Sequence, residues 1–529
     1  MLSRKMKAHM PGSELLLFVL VLVPFLYVAV NVVTRGVPDV VNSGDGALLE
    51  MSTRSLFSRG ILLGPYSRFL FFHPGPIYFA VRYPLYMLLG QRNSSFLLTT
   101  VLISVLSLFT GWYIVRRFTS RFISVVFASA VALFLLNTDK TQWLSEWNPH
   151  IIMFLVLLYM LAMTAVGLRK MKYIYPAVIS GSFVTQTHIG GIPLLAAVAA
   201  AAILFAVFPG ILSSGKQEWV KRDWKHLLLG TALLLLLWAP PLYEEFYSEG
   251  NGNLTMIKEF LENSEPDQDT GTALGPWSST LSGMELSRFV RIIRDWKPEV
   301  SEVLPTVVIA LRLLFLSVGY SLLRRRGKFR FVSALSLICI FAHGVTLYSV
   351  SQIRGELFVY LIEWMNVISI LSMFTIFAVV LALFNESGKF AKVKKYIRIA
   401  LIAFTVFSSG AVTIDAGGYF NPGLDPSWSN EIAVRELSIQ LAEYIDRQSD
   451  DYYVMKLESQ ERWPVMMGLM NTLEKQGYLV CMEDNVWFVS TLPPKGAETR
   501  TVRLGTLTVR GGNNPNLIAR YGDVGVIAQ

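Results

Sequence analysis

The stretch that organises this chain runs from Asn42 to Gly90, and its centre reads GDGALLEMSTRSLFSRG at 44–60, GPYSRF at 64–69 and HPGPIYF at 73–79. It follows one apolar segment and is itself too polar to span a bilayer. Its ionisable side chains stand close to turn-forming Gly and Pro residues: Asp45, Glu50, Arg54, Arg59, Arg68 and His73. In a chain that is otherwise apolar, we expect such a loop to carry the chemistry.

Composition indicates a membrane protein. Of the 529 residues, 53% are hydrophobic and 16% are charged, and the mean hydropathy is +0.46. These values are typical of a polytopic membrane protein and not of a soluble globular one. The formal net charge is +9, but the basic residues stand in short clusters between apolar segments. That distribution sets membrane orientation and argues against nucleic-acid binding.

Hydropathy predicts about eleven transmembrane helices. The apolar segments are 14–33, 97–115, 122–137, 150–168, 173–188, 191–209, 226–243, 303–323, 330–350, 357–384 and 396–413. If 77–90 does not cross the membrane, five basic clusters lie on the same side of the membrane as the basic N-terminus. They are 116–121, 168–172, 216–225, 324–330 and 389–398. The positive-inside rule then predicts a cytoplasmic N-terminus. We therefore expect 77–90 to lie along the outer membrane surface, with Tyr78, Tyr83 and Tyr86 at the level of the lipid headgroups.

Two domains are expected, a membrane-embedded one at 1–413 and an extracytoplasmic α/β one at 414–529. Hydropathy falls after 413, and helix and strand patterns alternate. The expected helices are Ser427–Arg447 and Pro464–Gln476, and the expected strands are Tyr452–Leu457, Tyr478–Met482, Val486–Ser490 and Arg500–Val509. Two external loops, 34–95 and 244–302, belong to the first domain. In the second loop we expect one surface helix and a flexible segment, PDQDTGTALGPW at 266–277.

The motifs of the first polar stretch resemble the first external loop of GT-C glycosyltransferases, membrane enzymes that use polyprenyl-phosphate sugars. In the protein O-mannosyltransferase and aminoarabinose-transferase branches, this loop opens with acidic residues and a helix that carries a Glu. Asp45 and Glu50 stand at those places, and Gly46 replaces a second acid. A Lys-Pro-Pro-Leu element then leads an amphipathic helix, where this chain has HPGP at 73–76 and a helix ending at Gly90.

The resemblance implies a function as well as a fold. It implies inverting transfer of a sugar from a polyprenyl-phosphate-linked donor to an extracytoplasmic glycan, lipid or protein acceptor. The enzyme would lie in a bacterial cytoplasmic membrane, with its site and C-terminal domain outside. No cofactor is implied, and dependence on a divalent metal is left open. Asp45 is implied as the general base, while His73, Arg68 and Arg354 are implied as ligands of the donor phosphate.

The chemistry of these residue types agrees with those roles but has alternatives. Sugar transfer needs a base for the acceptor hydroxyl and cations for the leaving phosphate. Asp45 is also well suited to be a helix N-cap, and Asp39 or Glu50 are alternative bases. A protonated His73 would attract phosphate, but it also suits a structural hydrogen bond. Alternative roles for the arginines are a lipid-headgroup anchor for Arg68 and a surface pair with Glu356 for Arg354.

Further polar residues at predicted helix ends are candidates for substrate binding. They are Glu50, Tyr66, Asn148, His150, Gln186, His188 and Glu363. Glu363 stands inside an apolar run, where a charge is costly unless it is used, and we expect it to pair with Arg354 or Arg82. The three histidines lack the spacing and the Cys partners of a recognisable zinc site, so no metal ligands are assigned.

Two alternatives to a GT-C enzyme stay open. A transporter or lipid flippase is also a basic protein with many helices, but the sequence lacks the paired interrupted helices of two similar halves. An enzyme similar to O-antigen ligases would use Arg and His on the same side of the membrane, with a diphosphate donor.

Overall fold

The computed structural model describes residues 12–35, 42–69, 71–208, 211, 223–248, 250–283, 298–384, 391–418, 429–448, 450, 452–482, 504–511 and 516–528. The α-helices in the first half are α1 Ser13–Arg35, α2 Gly44–Arg54, α3 Ile77–Leu88, α4 Ser94–Phe118, α5 Arg121–Asn137, α6 Lys140–Trp143, α7 Asn148–Ile151, α8 Met153–Gly167, α9 Ile174–Thr187, α10 Ile192–Val207 and α11 Asp223–Tyr247. They are followed by α12 Asn253–Asn263, α13 Thr270–Ser282, α14 Pro298–Leu323, α15 Arg330–Ser351, α16 Asn366–Phe384, α17 Ala391–Gly417, α18 Ser429–Ile445 and α19 Trp463–Lys475. The strands are β1 Tyr452–Leu457, β2 Val480–Met482, β3 Leu504–Gly511, β4 Leu517–Tyr521 and β5 Val524–Ala528.

The multi-pass membrane architecture is confirmed. Among the described residues, nine helical segments are long and apolar enough to cross a bilayer. The other two predicted spans are also helices, but α5 has 17 residues and α9 has 14. The predicted span at 357–384 begins later than expected, because two 3-10 turns at Val359–Leu361 and Glu363–Met365 precede α16.

Helix α3 forms as expected, but the expectation that its tyrosines lie at lipid headgroups is wrong for two of them. Tyr78, Arg82 and Tyr86 stand one turn apart on one face of the helix, and all three are fully buried. The Tyr78 hydroxyl and Arg82 Nη2 donate to the Glu146 carbonyl at 2.6 and 2.7 Å. Tyr78 and Arg82 of this polar face therefore form an interior contact with the segment before α7.

The C-terminal region forms a five-stranded sheet with the order β2-β1-β3-β5-β4. Strand β1 runs parallel to β2 and β3, while β5 pairs antiparallel with β3 and β4. Helix α19 connects the parallel strands β1 and β2, as a βαβ crossover requires. The α/β character predicted from sequence is confirmed, and the predicted strand Val486–Ser490 lies outside the described residues.

In the described part of the loop predicted at 244–302, two helices, α12 and α13, stand where one surface helix was expected. Residues 266–277 were predicted to be flexible, yet α13 begins at Thr270. Asp269 is its N-cap and accepts a hydrogen bond from the Thr272 backbone N–H at 2.7 Å. A good cap therefore starts a helix in a segment whose composition favours a loop.

Candidate active site

A cavity of about 350 Å³ lies where the polar stretch meets the ends of the apolar helices. Its wall comes from α2, the 65–73 segment, the start of α7, residues 188–193, α12 and residues 349–365. Seven of the eleven predicted site residues line it: Asp45, Tyr66, Arg68, His73, Asn148, His188 and Arg354. Four do not line it: Glu50, His150, Gln186 and Glu363.

A short hairpin at 64–73 brings several of these side chains to the cavity. The Gly64 N–H donates to the His73 carbonyl at 2.9 Å, and the His73 N–H donates to the Pro65 carbonyl at 2.8 Å. Gly64 has no room for a side chain, since a Cβ there would lie 2.6 Å from the Gln186 carbonyl oxygen. The hairpin is fixed from the other side by Asn253 of α12, whose amide bonds both the N–H and the carbonyl of Phe72 at 2.9 Å.

Asp45 lies in the first turn of α2, and its carboxylate lines the cavity. The Tyr66 hydroxyl donates to Oδ1 at 2.6 Å, and Trp147 Nε1 donates to Oδ2 at 2.9 Å. Both donors are neutral, so they orient the carboxylate without an ion pair. A carboxylate has about four acceptor positions, which leaves lone pairs for a further donor.

Asp45 is not the N-cap of its helix. The cap position is Ser43, whose hydroxyl donates to Glu431 at 2.6 Å. Burial raises the pKa of the Asp45 carboxyl above its usual 3.8, and the hydrogen bonds from Tyr66 and Trp147 oppose part of that rise. A desolvated carboxylate of this kind is a stronger base than an exposed one. The alternative base Asp39 lies outside the described residues.

His73 is buried in the cavity wall, and its environment favours a neutral ring. Its Nδ1 accepts a hydrogen bond from the Ile189 backbone N–H at 3.2 Å. Burial lowers the pKa of His73 well below its usual 6.5, and the neighbouring His188 lowers it further. The lowered pKa and the hydrogen bond accepted at Nδ1 both favour a neutral ring with its proton on Nε2, and not the protonated imidazole expected from sequence.

Arg68 and Arg354 bring two guanidinium groups to the cavity. Arg68 Nη2 donates to the carbonyls of Arg354 and Glu356 at 3.2 and 2.7 Å, and its guanidinium lies 4.8 Å from the ring centroids of Phe69 and Phe358. Arg68 Nε is buried and has no hydrogen-bond partner among the described residues.

Arg354 is held by oxygen atoms of its own loop, of the last turn of α12 and of Ser264, which follows that helix. Its Nε donates to Ser264 Oγ at 3.2 Å, Nη1 to the Gln352 carbonyl at 2.6 Å and Nη2 to the Leu261 carbonyl at 3.1 Å. The surface pair with Glu356 does not form. Within the described part of the chain, neither this arginine nor Arg68 pairs with a carboxylate.

Four predicted residues occupy other contacts. His150 Nε2 lies 2.8 Å from Glu363 Oε2, and Gln142 Nε2 donates to Glu363 Oε1 at 2.8 Å. The pairing of Glu363 with Arg354 or Arg82, expected from sequence, is therefore wrong. Gln186 donates to the Leu237 carbonyl at 2.8 Å. Glu50 accepts hydrogen bonds from Asn471 and Lys475 of α19. Among the described residues, no group of three His, Cys, Asp or Glu is arranged to hold a metal ion.

The sequence interpretation missed Trp147, the second donor to Asp45. It precedes Asn148 and His150, which the sequence predicts as substrate-binding residues because they are polar. Its ring lies 4.5 Å from that of Tyr360, another residue of the cavity wall that was not singled out. The available signal was the indole N–H, which needs an acceptor when a Trp is buried.

Comparison with known proteins identifies solved structures of similar fold. No protein-family model and no curated protein sequence matches this chain. A crystal structure of ArnT from Cupriavidus metallidurans bound to undecaprenyl phosphate is 14% identical over 98% of each chain, with a TM-score of 0.55. The apo form is 14% identical over 96% of this chain and 97% of that one, with a TM-score of 0.52. The oligosaccharyltransferase AglB from Archaeoglobus fulgidus has a TM-score of only 0.42, at 10% identity over 87% of this chain and 64% of that one. The chain therefore has the fold of this ArnT structure, which agrees with the helical membrane architecture and the C-terminal α/β region expected from its sequence.

Proposed function

We propose that this protein is a GT-C-type membrane glycosyltransferase that uses a polyprenyl-phosphate-linked sugar. The observation that carries the proposal is one cavity with a desolvated carboxylate, Asp45, and two guanidinium groups, Arg68 and Arg354. Arg68 Nε is buried and has no hydrogen-bond partner in the described part of the chain, which favours an anionic ligand. The ArnT crystal structure of the same fold is described as bound to undecaprenyl phosphate, which supports a polyprenyl phosphate as that ligand.

The proposed reaction is a single displacement. Asp45 accepts the proton of an acceptor hydroxyl, whose oxygen attacks the anomeric carbon of the donor sugar. The bond between that carbon and the phosphate oxygen breaks, and the phosphate leaves with the electron pair. Tyr66 and Trp147 hold the carboxylate in place during this step. Since attack comes from the face opposite to the phosphate, the product has the inverted anomeric configuration.

The donor phosphate is proposed to bind at Arg68, Arg354 and His73. The two guanidinium groups provide positive charge for the phosphate as its own charge grows. His73 contributes a hydrogen bond from Nε2–H, because its Nδ1 already accepts from Ile189. The remaining cavity residues, Tyr66, Asn148 and His188, are proposed to contact the sugar or the acceptor. Glu50, His150, Gln186 and Glu363 are proposed to support the site through other residues.

The proposed orientation places the cavity and the 414–529 domain outside a bacterial cytoplasmic membrane. A reporter that is active only outside the cytoplasm should therefore be active when fused after residue 529 and inactive when inserted at Gly327, which lies in one of the basic clusters. The prediction is tested by measuring the reporter activity of both fusions in intact cells. The opposite pattern would remove the argument for an external site.

The pH dependence of sugar transfer tests the assignment of the base. The pKa of Asp45 is raised above 3.8 by burial, so kcat should fall as the pH decreases through that raised value. The Asp45→Asn variant should lose this acid limb, whereas His73→Gln should keep it because His73 is already neutral near its usual 6.5. An acid limb that persists without Asp45 would assign the base elsewhere.

A further inference from the structure

Helix α2 belongs to two parts of the protein at once. Asp45 and Leu49, one turn apart, line the cavity. Ala47 and Met51, one turn apart on the other side, are buried in the hydrophobic core of the C-terminal domain together with residues of α18, α19 and the sheet. The helix that carries the proposed base is therefore packed as an element of the C-terminal domain.

A buried carboxylate holds this helix to α19. Glu50 is 1% exposed, and two of its hydrogen-bond donors come from the C-terminal domain. Lys475 Nζ donates to Oε1 at 2.8 Å, and Asn471 Nδ2 donates to Oε2 at 2.8 Å. Asn42 and Tyr86 supply the other donors at 2.8 and 3.0 Å. A buried charge requires such a set of partners, so separation of α2 from α19 would deprive the carboxylate of the Lys475 ammonium and of the Asn471 amide.

The next turn of α2 and the residues that follow this helix also contact α19. Arg54 forms an ion pair with Glu474 of α19, and its Nη1 donates to Asn471 Oδ1 at 2.9 Å. Arg59 Nη2 donates to Glu474 Oε1 at 3.0 Å. Asn471, Glu474 and Lys475 stand on one face of α19, spaced three and four residues apart. We call Glu50, Arg54, Arg59 and these three residues the interdomain latch.

The N-terminal end of α19 reaches the site itself. The Trp463 ring lies 5.9 Å from the ring of Tyr66, which donates its hydroxyl hydrogen bond to Asp45. Trp463 also faces Gly44, the first residue of α2, since a Cβ at Gly44 would lie 3.5 Å from Trp463 Cζ3. Both ends of α19 thus contact the segment around Asp45.

We propose that the C-terminal domain is a positioning part of the active site, in which the interdomain latch fixes α2 so that Asp45 meets Tyr66, Trp147 and the acceptor hydroxyl. This inference rests on the proposed role of Asp45 as the base. Glu50 and Lys475 are positioning residues in this view, because they act on Asp45 only through α2. Catalysis by a base depends strongly on its placement, and a displacement of about 1 Å can reduce a rate roughly 100-fold.

The test uses Lys475→Met in the full-length protein, with Arg510→Met as the matched control. Arg510 forms a surface ion pair with Glu458 at 2.8 Å in the same domain. In Lys475→Met we expect kcat to fall by about 10- to 100-fold with little change in the donor KM, and the acid limb of the pH profile to shift. Lys475→Arg should recover most of the rate. The control should keep the wild-type rate and pH profile. A general loss of folded protein would lower the rate but would leave the shape of the pH profile unchanged.

Hydrogen exchange of the α2 amides gives a readout that does not require activity. Exchange should accelerate in Lys475→Met and stay unchanged in Arg510→Met. If Lys475→Met does not fold, Asn471→Ala, which leaves Glu50 its ammonium partner, should show smaller changes in the same direction. Unchanged α2 exchange with an unchanged pH profile would overturn the inference. A wild-type protein that transfers no sugar would instead contradict the proposed function, while exchange would still report whether the domain holds α2.

Discussion

Replacement of Asp45 by Asn is expected to reduce sugar transfer by about 100-fold or more, which is the usual scale of a general-base contribution. The variant should fold and still bind the polyprenyl-phosphate donor. Its side-chain oxygen can accept from Trp147, and its amide can donate to the Tyr66 oxygen because a hydroxyl rotates. Only the proton acceptor is lost. Single-turnover rates with a labelled donor, beside donor-binding isotherms, separate the two effects.

The direction in which Asp45→Asn changes the stability of the protein can also be predicted. Burial raises the folded-state pKa of Asp45 above its usual 3.8, so any stabilisation from this group is fully present below the unfolded pKa and is lost as the pH rises through the folded pKa. At neutral pH the ionised carboxylate therefore opposes folding. Asp45→Asn should unfold at the same temperature as wild type or slightly higher, as is common when a functional charge is removed.

A helix cap gives the matched control. Asp269 accepts a hydrogen bond from the Thr272 backbone N–H at the start of α13, and Asn caps helices about as well as Asp. Asp269→Asn should therefore keep the wild-type transfer rate. An Asp45→Asn protein that behaves in the same way would defeat the assignment of the base.

Neutralisation of the two cavity arginines is expected to weaken use of the donor. A hydrogen bond to a charged group contributes about 1.5–3 kcal/mol, so Arg68→Met should lower kcat/KM by roughly 10- to 100-fold. Arg68→Lys should also be harmful, because an ammonium cannot reproduce the planar fork or its stacking on Phe69 and Phe358. Arg354→Met should lower kcat/KM as well, and it also removes hydrogen bonds to Leu261 in α12 and to Ser264 just after it.

Donor titrations of purified variants check this prediction. Lys258→Met is the control, since the pair that Lys258 forms with Glu262 within α12, at 3.8 Å, is exposed and such pairs contribute little. It should use the donor as wild type does. If the donor kinetics of all the arginine variants were also unchanged, the arginines would be anchors for lipid headgroups.

The fold could be predicted from sequence where one physical requirement dominates. A helix that crosses a bilayer needs about 20 apolar residues, and nine of the predicted spans meet that condition in the described chain. The burial of Tyr78 and Tyr86 could not be predicted in the same way. An amphipathic helix at a membrane surface and one against a polar protein interior have similar patterns. The acceptors that distinguish them, the Glu146 carbonyl for Tyr78 and the Glu50 carboxylate for Tyr86, stand far away along the chain.

The candidate site could be predicted in part for a related reason. Asp45, Tyr66, Arg68 and His73 stand in one short stretch, so a local motif indicates them together. Trp147 stands 102 residues from Asp45, and only the fold brings it to the carboxylate. Glu50 follows Asp45 by one and a half helical turns and so faces away from the cavity. Its partners Asn471 and Lys475 are more than 400 residues distant, and a local pattern cannot indicate them.

The most direct measurement is release of polyprenyl phosphate from a labelled polyprenyl-phosphate sugar by the purified protein in lipid nanodiscs. Envelope glycans, lipids and proteins would be present together as acceptors. We expect wild type to release the lipid phosphate and label an acceptor, with Asp45→Asn slower by about 100-fold or more. Equal release by both proteins would contradict Asp45 as the base. No release from any polyprenyl-phosphate sugar, with transfer from the diphosphate-linked sugar instead, would contradict the proposed donor class.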